Sequence, residues 1–224
     1  MYHRVHNMDA ASDIPRRLPR GSHGLDRELV AASQRARLLE ALGSAAAAKG
    51  YAAVTIDDIV RGAGVSKKTF YEHFADKEEC FLAAYEAASE ELLLRVTEAQ
   101  VSHQDWVERA RAGIVAYLRW LAADPALARV FLIEVAAAGP RAAEHRERAR
   151  SRYAELIRRR HETGGGRSLP AEVFEAIVGA MDDLVSRRIR ERGADRLDEL
   201  EAVLVYLELA VLAGPEAAAE AAGI

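Results

Sequence analysis

One stretch constrains the fold of this chain more than any other. It reads Thr55-Ile-Asp-Asp-Ile-Val-Arg-Gly-Ala-Gly-Val-Ser-Lys-Lys-Thr-Phe-Tyr-Glu-His-Phe74. Thr55 is placed to cap a short helix, and Asp57 and Asp58 in its first turn suit the positive end of the helix dipole. Ile56, Ile59, Val60 and Ala63 recur at helical spacing and form its expected buried face. Gly62 and Gly64 bracket Ala63 and mark a tight turn. Ser66 then caps a second short helix that ends near Phe74. Two short helices joined by a glycine-containing turn make the helix-turn-helix layout.

Around this unit the pattern is helical throughout. Alanine and leucine dominate and half of the residues are apolar, so an all-α protein with a proper core is expected. A first helix spans about Arg27 to Lys49, stopped by Gly50. Asp76 and Glu79 resemble a capping box and open a helix that runs to about Val101. Further helices are expected at about Asp105–Ala122, Pro125–Ala138, Arg141–His161, Pro170–Arg192 and Asp195–Ala213, which makes about nine in total. Residues 163–168 read as a flexible loop. Three regions follow: a basic arm over 1–25, a three-helix domain with the helix-turn-helix over 26–75, and a helical domain over 76–224.

The outward side of the second short helix gives the segment its chemistry. With Ile59, Val65, Phe70 and Phe74 packed inward, Ser66, Lys67, Lys68, Thr69, Tyr71 and His73 point out. These are donors suited to phosphates and base edges. The net charge of -4 does not oppose this, because DNA binding needs a local positive footprint rather than a basic chain. Arg16, Arg17 and Arg20 precede the first helix, and two readings stay open: an arm reaching a minor groove, or a tail with no role. Leu18-Pro-Arg-Gly-Ser-His23 reads either as native sequence or as a vector-derived protease-site remnant.

The segment resembles the DNA-binding motif of the TetR family. The similarity lies in the threonine-capped helix, Ala-Gly-Val-Ser at the turn, Thr-Phe-Tyr-x-His-Phe after it, and the Asp-Lys-Glu start of the next helix. It covers about residues 30–85. The resemblance implies that Thr55 holds a phosphate and that Ser66, Lys67, Lys68 and Thr69 enter the major groove. Tyr71 and His73 would touch backbone, Lys77 would meet a phosphate at a helix N-terminus, and Arg61 would be a further backbone contact. Which of Lys67 and Lys68 reads a base stays open. It further implies a ligand-responsive repressor that leaves a near-palindromic operator when a small-molecule effector binds.

The second half carries the expected sensor and interface. The helix from Ala171 has Val173, Phe174, Ile177, Val178, Met181, Leu184, Val185 and Ile189 along one side. The last helix is apolar almost all round from Val203 to Leu212, which suggests burial between two copies, so a homodimer through about 170–213 is expected. Candidate lining residues for an effector pocket are Trp106, Tyr117, Trp120, Phe131, Glu134, Tyr153, Phe174, Met181 and Asp182, although large aromatics on such helices are more often plain core.

Enzyme chemistry is not expected. No His-Glu-x-x-His, phosphate loop or Gly-x-Ser-x-Gly elbow occurs, and the seven histidines show no ligand spacing, so no metal and no cofactor are expected. Cys80 is the only cysteine and reads as a small buried residue. With no run of about 18 apolar residues and no secretory signal pattern, the chain reads as cytoplasmic, without a membrane partner. A helical partner-binding protein without DNA is the remaining alternative.

Overall fold

The computed structural model describes residues 27–224, and the arm with Arg16, Arg17, Arg20 and the 18–23 string lies outside the described residues. Ten α-helices and no strands make up those residues. Helix α1 (Arg27–Lys49) buries Leu38, Ala41, Leu42 and Ala46, a stripe at three- and four-residue spacing. Gly50, at φ +79°, turns the chain into a 3-10 turn, Tyr51–Ala53.

Helices α2 (Ile56–Ala63) and α3 (Lys67–His73) follow. A Cβ on Gly62 would stand 3.1 Å from that of Ala41, so α1 and α2 approach closely where one side chain is missing. Gly64, at φ +63°, ends α2 in the left-handed region and aims α3 across it. Ile59, Phe70 and Phe74 are buried together, while Ile56 and Val65 are partly covered.

Helix α4 (Lys77–Val101), about 37 Å long, belongs to both halves of the molecule. Its start packs Cys80 and Phe81 into the N-terminal core, and its later turns carry Tyr85, Leu92 and Val96 into the C-terminal bundle. That bundle consists of α5 (Trp106–Ala123), α6 (Pro125–Leu132), α7 (Pro140–Thr163), α8 (Ala171–Arg192), α9 (Glu201–Leu212) and α10 (Pro215–Ala222). Asp105 caps α5, and Asp124 caps α6 with Pro125 at its first position.

Four features depart from the sequence expectation. Helix α6 stops at Leu132, and Glu134–Ala137 form a 3-10 turn against the turn at Tyr51. The last expected helix begins late, after a 3-10 turn at Leu197–Leu200. Beyond Gly214, Pro215 starts α10, an alanine-rich helix laid against α9. The loop after α7 is packed rather than free: His161 Nε2 lies 3.1 Å from the Arg167 carbonyl oxygen, and a Cβ on Gly166 would collide with the His161 ring.

Candidate functional site

Two local caps build the exposed face of α3. Thr55 accepts the Asp58 N–H at 3.3 Å and donates its hydroxyl to Asp58 Oδ2 at 2.6 Å, while the Thr55 N–H reaches the same oxygen. Lys49 adds an ion pair at 2.5 Å, and these bonds hold the Asp58 carboxyl well below the usual carboxylate range. The Thr55 hydroxyl is therefore bound within its own cap, although the residue is at the surface. Ser66 accepts the Thr69 N–H at 3.0 Å and starts α3.

Phe70 and Phe74 anchor that helix from below, with ring centroids 5.8 Å apart. Arg37 of α1 donates to the Ala63 carbonyl at 2.9 Å, and His73 Nε2 lies 3.4 Å from Gln34 Oε1. On the opposite side Ser66, Lys67, Lys68 and Tyr71 are exposed, with Thr69 and His73 half-buried. Lys68 is 88% exposed and only loosely paired with Glu72 at 3.9 Å. Lys67 contacts Asp57 at 2.8 Å, and that contact raises its pKa, so it stays a cation. Both pairs are open to water, where such contacts are weak and a phosphate competes well. Arg61 is exposed on α2.

Lys77 lies apart from this face. Its ammonium donates to the carbonyls of Tyr51 and Val54 at 3.0 and 2.9 Å and sits 4.3 Å from the Tyr51 ring centroid. It ties the end of the first turn to the start of α4. Sequence reasoning placed it by its helix-start position and missed this tertiary role.

A cavity of about 60 Å³ opens among α4, α5, α6, α7 and α8. Of the residues expected from sequence, Tyr117, Phe131, Tyr153, Met181 and Asp182 line it. Trp106, Trp120, Phe174 and Glu134 lie outside. Trp106 and Phe174 flank His161, with centroids 5.8 and 6.0 Å away. Trp120 backs Phe131 edge-on at 5.6 Å. Glu134 accepts the Tyr51 N–H at 2.9 Å and pairs with Arg129 at 3.4 Å.

The lining residues that the sequence reading did not single out include Tyr85, Ser89, Arg146, Arg150 and Arg152. The signal was present: Arg146, Arg150, Tyr153 and Ile157 fall on one face of α7, and the last two are apolar or amphipathic. Burial pushes the phenols of Tyr85 and Tyr117 up, and that of Tyr153 to about 12.

Burial pushes the Cys80 thiol to about 12, so it is not a thiolate at neutral pH. Among the described residues no three of His, Cys, Asp and Glu gather around a possible metal, and no helix is long and apolar enough to cross a membrane.

Comparison with known proteins gives a consistent result. Residues 38–84 match the sequence profile of bacterial regulatory proteins, tetR family. The HTH-type transcriptional activator FasR of Mycolicibacterium smegmatis is 31% identical over 106 residues, 47% of this chain and 48% of FasR. The regulator EthR of the same organism is 32% identical over 119 residues, 50% of this chain and 52% of EthR. The chain thus spans about half the length of these curated relatives in its match. Over the whole fold, the crystal structure of FadR from Bacillus subtilis in complex with stearoyl-CoA superimposes with a TM-score of 0.68, covering 80% of this chain and 98% of that one at 20% identity.

Proposed function

We propose that this chain, whose residues 38–84 match the tetR family of bacterial regulatory proteins, is a homodimeric repressor of that family that leaves its operator when a small molecule enters the cavity. The carrying observation is the exposed α3 face. Lys67, Lys68 and Tyr71 stand in solvent on a helix that Phe70 and Phe74 fix to the core. A rigid short helix with outward cations fits a major groove, with Ser66 and Thr69 at its leading end. Arg61 and the flanking His73 supply contacts to the sugar-phosphate backbone, and Thr55 and Lys77 support the helices that present this face.

The second copy is expected along α9. Val203, Tyr206, Leu207, Ala210 and Val211 recur at three- and four-residue spacing, and Val203 and Val211 are exposed in the single chain. Leu204, Val205 and Leu209 are already buried inside it, so only one stripe of the apolar helix awaits a partner. Two recognition helices related by a two-fold axis read a near-palindromic site about one DNA turn, roughly 34 Å, apart.

The effector reading rests on the cavity and its connection to the DNA-binding half. Phe131 in the cavity wall stacks on Tyr85 at 4.7 Å, Tyr85 on Phe81 at 6.5 Å, and Phe81 against Tyr51 at 4.6 Å. FadR of Bacillus subtilis, which shares this fold, forms a complex with stearoyl-CoA, which supports a ligand-binding reading. A ligand that favours a shifted α6 moves the contacts at Tyr51 and with them the spacing of the two α3 helices.

The test is a mobility-shift titration on duplexes from the intergenic DNA flanking the chain's own gene, with a reporter read in parallel. Retardation by the unaltered protein, its loss in Lys67→Ala/Lys68→Ala, and higher reporter output on deleting the protein are expected. Equal retardation by both proteins would remove the α3 reading, and lower reporter output on deletion would make it an activator.

A further inference from the structure

We propose that the cavity takes an organic monoanion, a carboxylate on a compact apolar body, with Arg150 as its principal anchor. This rests on the reading of the cavity as an effector site and names the chemistry of its occupant.

Charge accounting around the cavity carries the inference. Three arginines line it against one carboxylate, Asp182. Arg146 takes Asp182 at 2.6 Å, and Arg152 takes Glu86 of α4 at 2.7 Å. Arg150 has no such match. Its closest carboxylate is that of Glu147 at 3.4 Å, which is 63% exposed, and it reaches Asp182 only at 4.0 Å, on the oxygen Arg146 already holds. One guanidinium at the cavity wall is thus held only by a solvent-exposed carboxylate. Its Nε is buried without a hydrogen-bond partner, as are one nitrogen each of Arg146 and Arg152.

The backbone of α8 is shaped for that guanidinium. A Cβ on Gly179, in the middle of the helix, would stand 2.6 Å from Arg150 Nη2. Glycine inside a helix is unfavourable relative to alanine, and here the missing side chain leaves the space that Arg150 Nη2 occupies.

The other polar groups ask for an acceptor too. Burial keeps the Tyr85, Tyr117 and Tyr153 hydroxyls protonated through neutral pH, and none of them makes a hydrogen bond to a described residue. The remaining wall, with Leu92, Phe131 and Met181, is apolar. A cation would meet three guanidiniums here. A neutral apolar molecule would leave buried donors unpaired, which is costly. A carboxylate accepts from Arg150 in the bidentate geometry that guanidinium favours, and its body covers the apolar wall.

The experiment is calorimetric titration of the full chain with hexanoate, 1-hexanol and hexylammonium, which share a body and differ in head. Hexanoate is expected to bind at least about tenfold more tightly than either, the scale of one charge-assisted hydrogen-bonded pair. Arg150→Gln is expected to weaken hexanoate about tenfold and to leave 1-hexanol within about twofold. Gly179→Ala, which pushes the guanidinium aside, is expected to act in the same direction. Equal or tighter binding of 1-hexanol or hexylammonium overturns the proposal, and so does an absence of heat with all three. Should Arg150→Gln lose its helical circular dichroism, the three-head series on the unaltered protein decides alone. A DNA titration on the same preparation separates the two readings. Retained DNA binding without a carboxylate preference refutes this inference only, whereas absent DNA binding refutes the regulator reading.

Discussion

Glu134 accepts the backbone N–H of Tyr51 at 2.9 Å, across 83 residues of sequence, and so fastens the turn after α6 to the turn after α1. The residue is almost fully buried, and its second oxygen faces Arg129. Tyr51 is held from its other side as well, since Lys77 bonds its carbonyl. The cavity wall at Phe131 and Leu132 lies only two or three residues before Glu134. A shift of α6 would therefore act directly on the turn at Tyr51.

Removing that carboxylate isolates the Tyr51 N–H. Glu134→Ala is expected to cost about 2 kcal/mol, or roughly 4–8 °C in Tm for a chain of this size. On the proposed function it should also shrink an effector-induced loss of DNA affinity, because the turn at Tyr51 no longer follows α6. Glu134→Gln keeps an accepting oxygen and should be milder on both counts. Thermal denaturation and anisotropy with and without effector measure them. An unchanged effector response in Glu134→Ala would remove Glu134 from the coupling.

Two glycines should respond in opposite directions. Gly64 sits at φ +63°, so Gly64→Ala is expected to destabilise by about 1 kcal/mol and to tilt α3. Gly43 lies within α1 with open space where a Cβ would go, so Gly43→Ala should stabilise by about 0.5–1 kcal/mol. Urea denaturation of the two variants is the check.

Arg160 of α7 and Glu208 of α9 form a hydrogen-bonded ion pair in the core, both nearly inaccessible. Burial brings the Arg160 pKa down to about 10, so its guanidinium stays charged at neutral pH. Losing one partner strands the other charge, and Glu208→Gln or Arg160→Met is expected to cost about 3–5 kcal/mol. The double change Arg160→Met/Glu208→Leu should cost less than either single change. A double-mutant cycle with additive losses would contradict this.

Glu86 supplies a pH signature. Burial pushes its carboxyl up, but Arg152 at 2.7 Å and His145 at 3.3 Å outweigh that and hold it below its ordinary value of 4.5. A carboxyl with a lowered folded pKa contributes stability that is present above 4.5 and lost as pH falls through the folded value. Glu86→Gln is expected to flatten the acid limb of Tm against pH in that window and to lower Tm at pH 7. A parallel acid limb in the variant would show that Glu86 does not contribute there.

What the sequence disclosed was local. Thr55, Ser66 and Asp76 could be read as caps because each bonds a group three residues on. Phe70 and Phe74 declared their face by spacing. Lys77 and Glu134 could not be read, because their partners at Tyr51 lie 26 and 83 residues away. The break after Leu132 escaped for the same reason: it accompanies the Glu134 contact with distant Tyr51. In the cavity, Tyr117, Phe131, Tyr153, Met181 and Asp182 were anticipated from residue type, but Trp106, Trp120 and Phe174 are equally large and pack elsewhere. Arg150 looked like one more solvated charge on a charged helix until the fold brought Gly179 beneath it.

The most direct measurement of the central claim is selection of binding sites from random duplex DNA by the unaltered protein and by Lys68→Ala. The account predicts enrichment of a near-palindrome by the first. It predicts weaker and less selective recovery by the second, with a salt slope reduced by about one if Lys68 neutralises one phosphate. Failure of the unaltered protein to enrich any palindrome, or identical sites and affinity with Lys68→Ala, would contradict it.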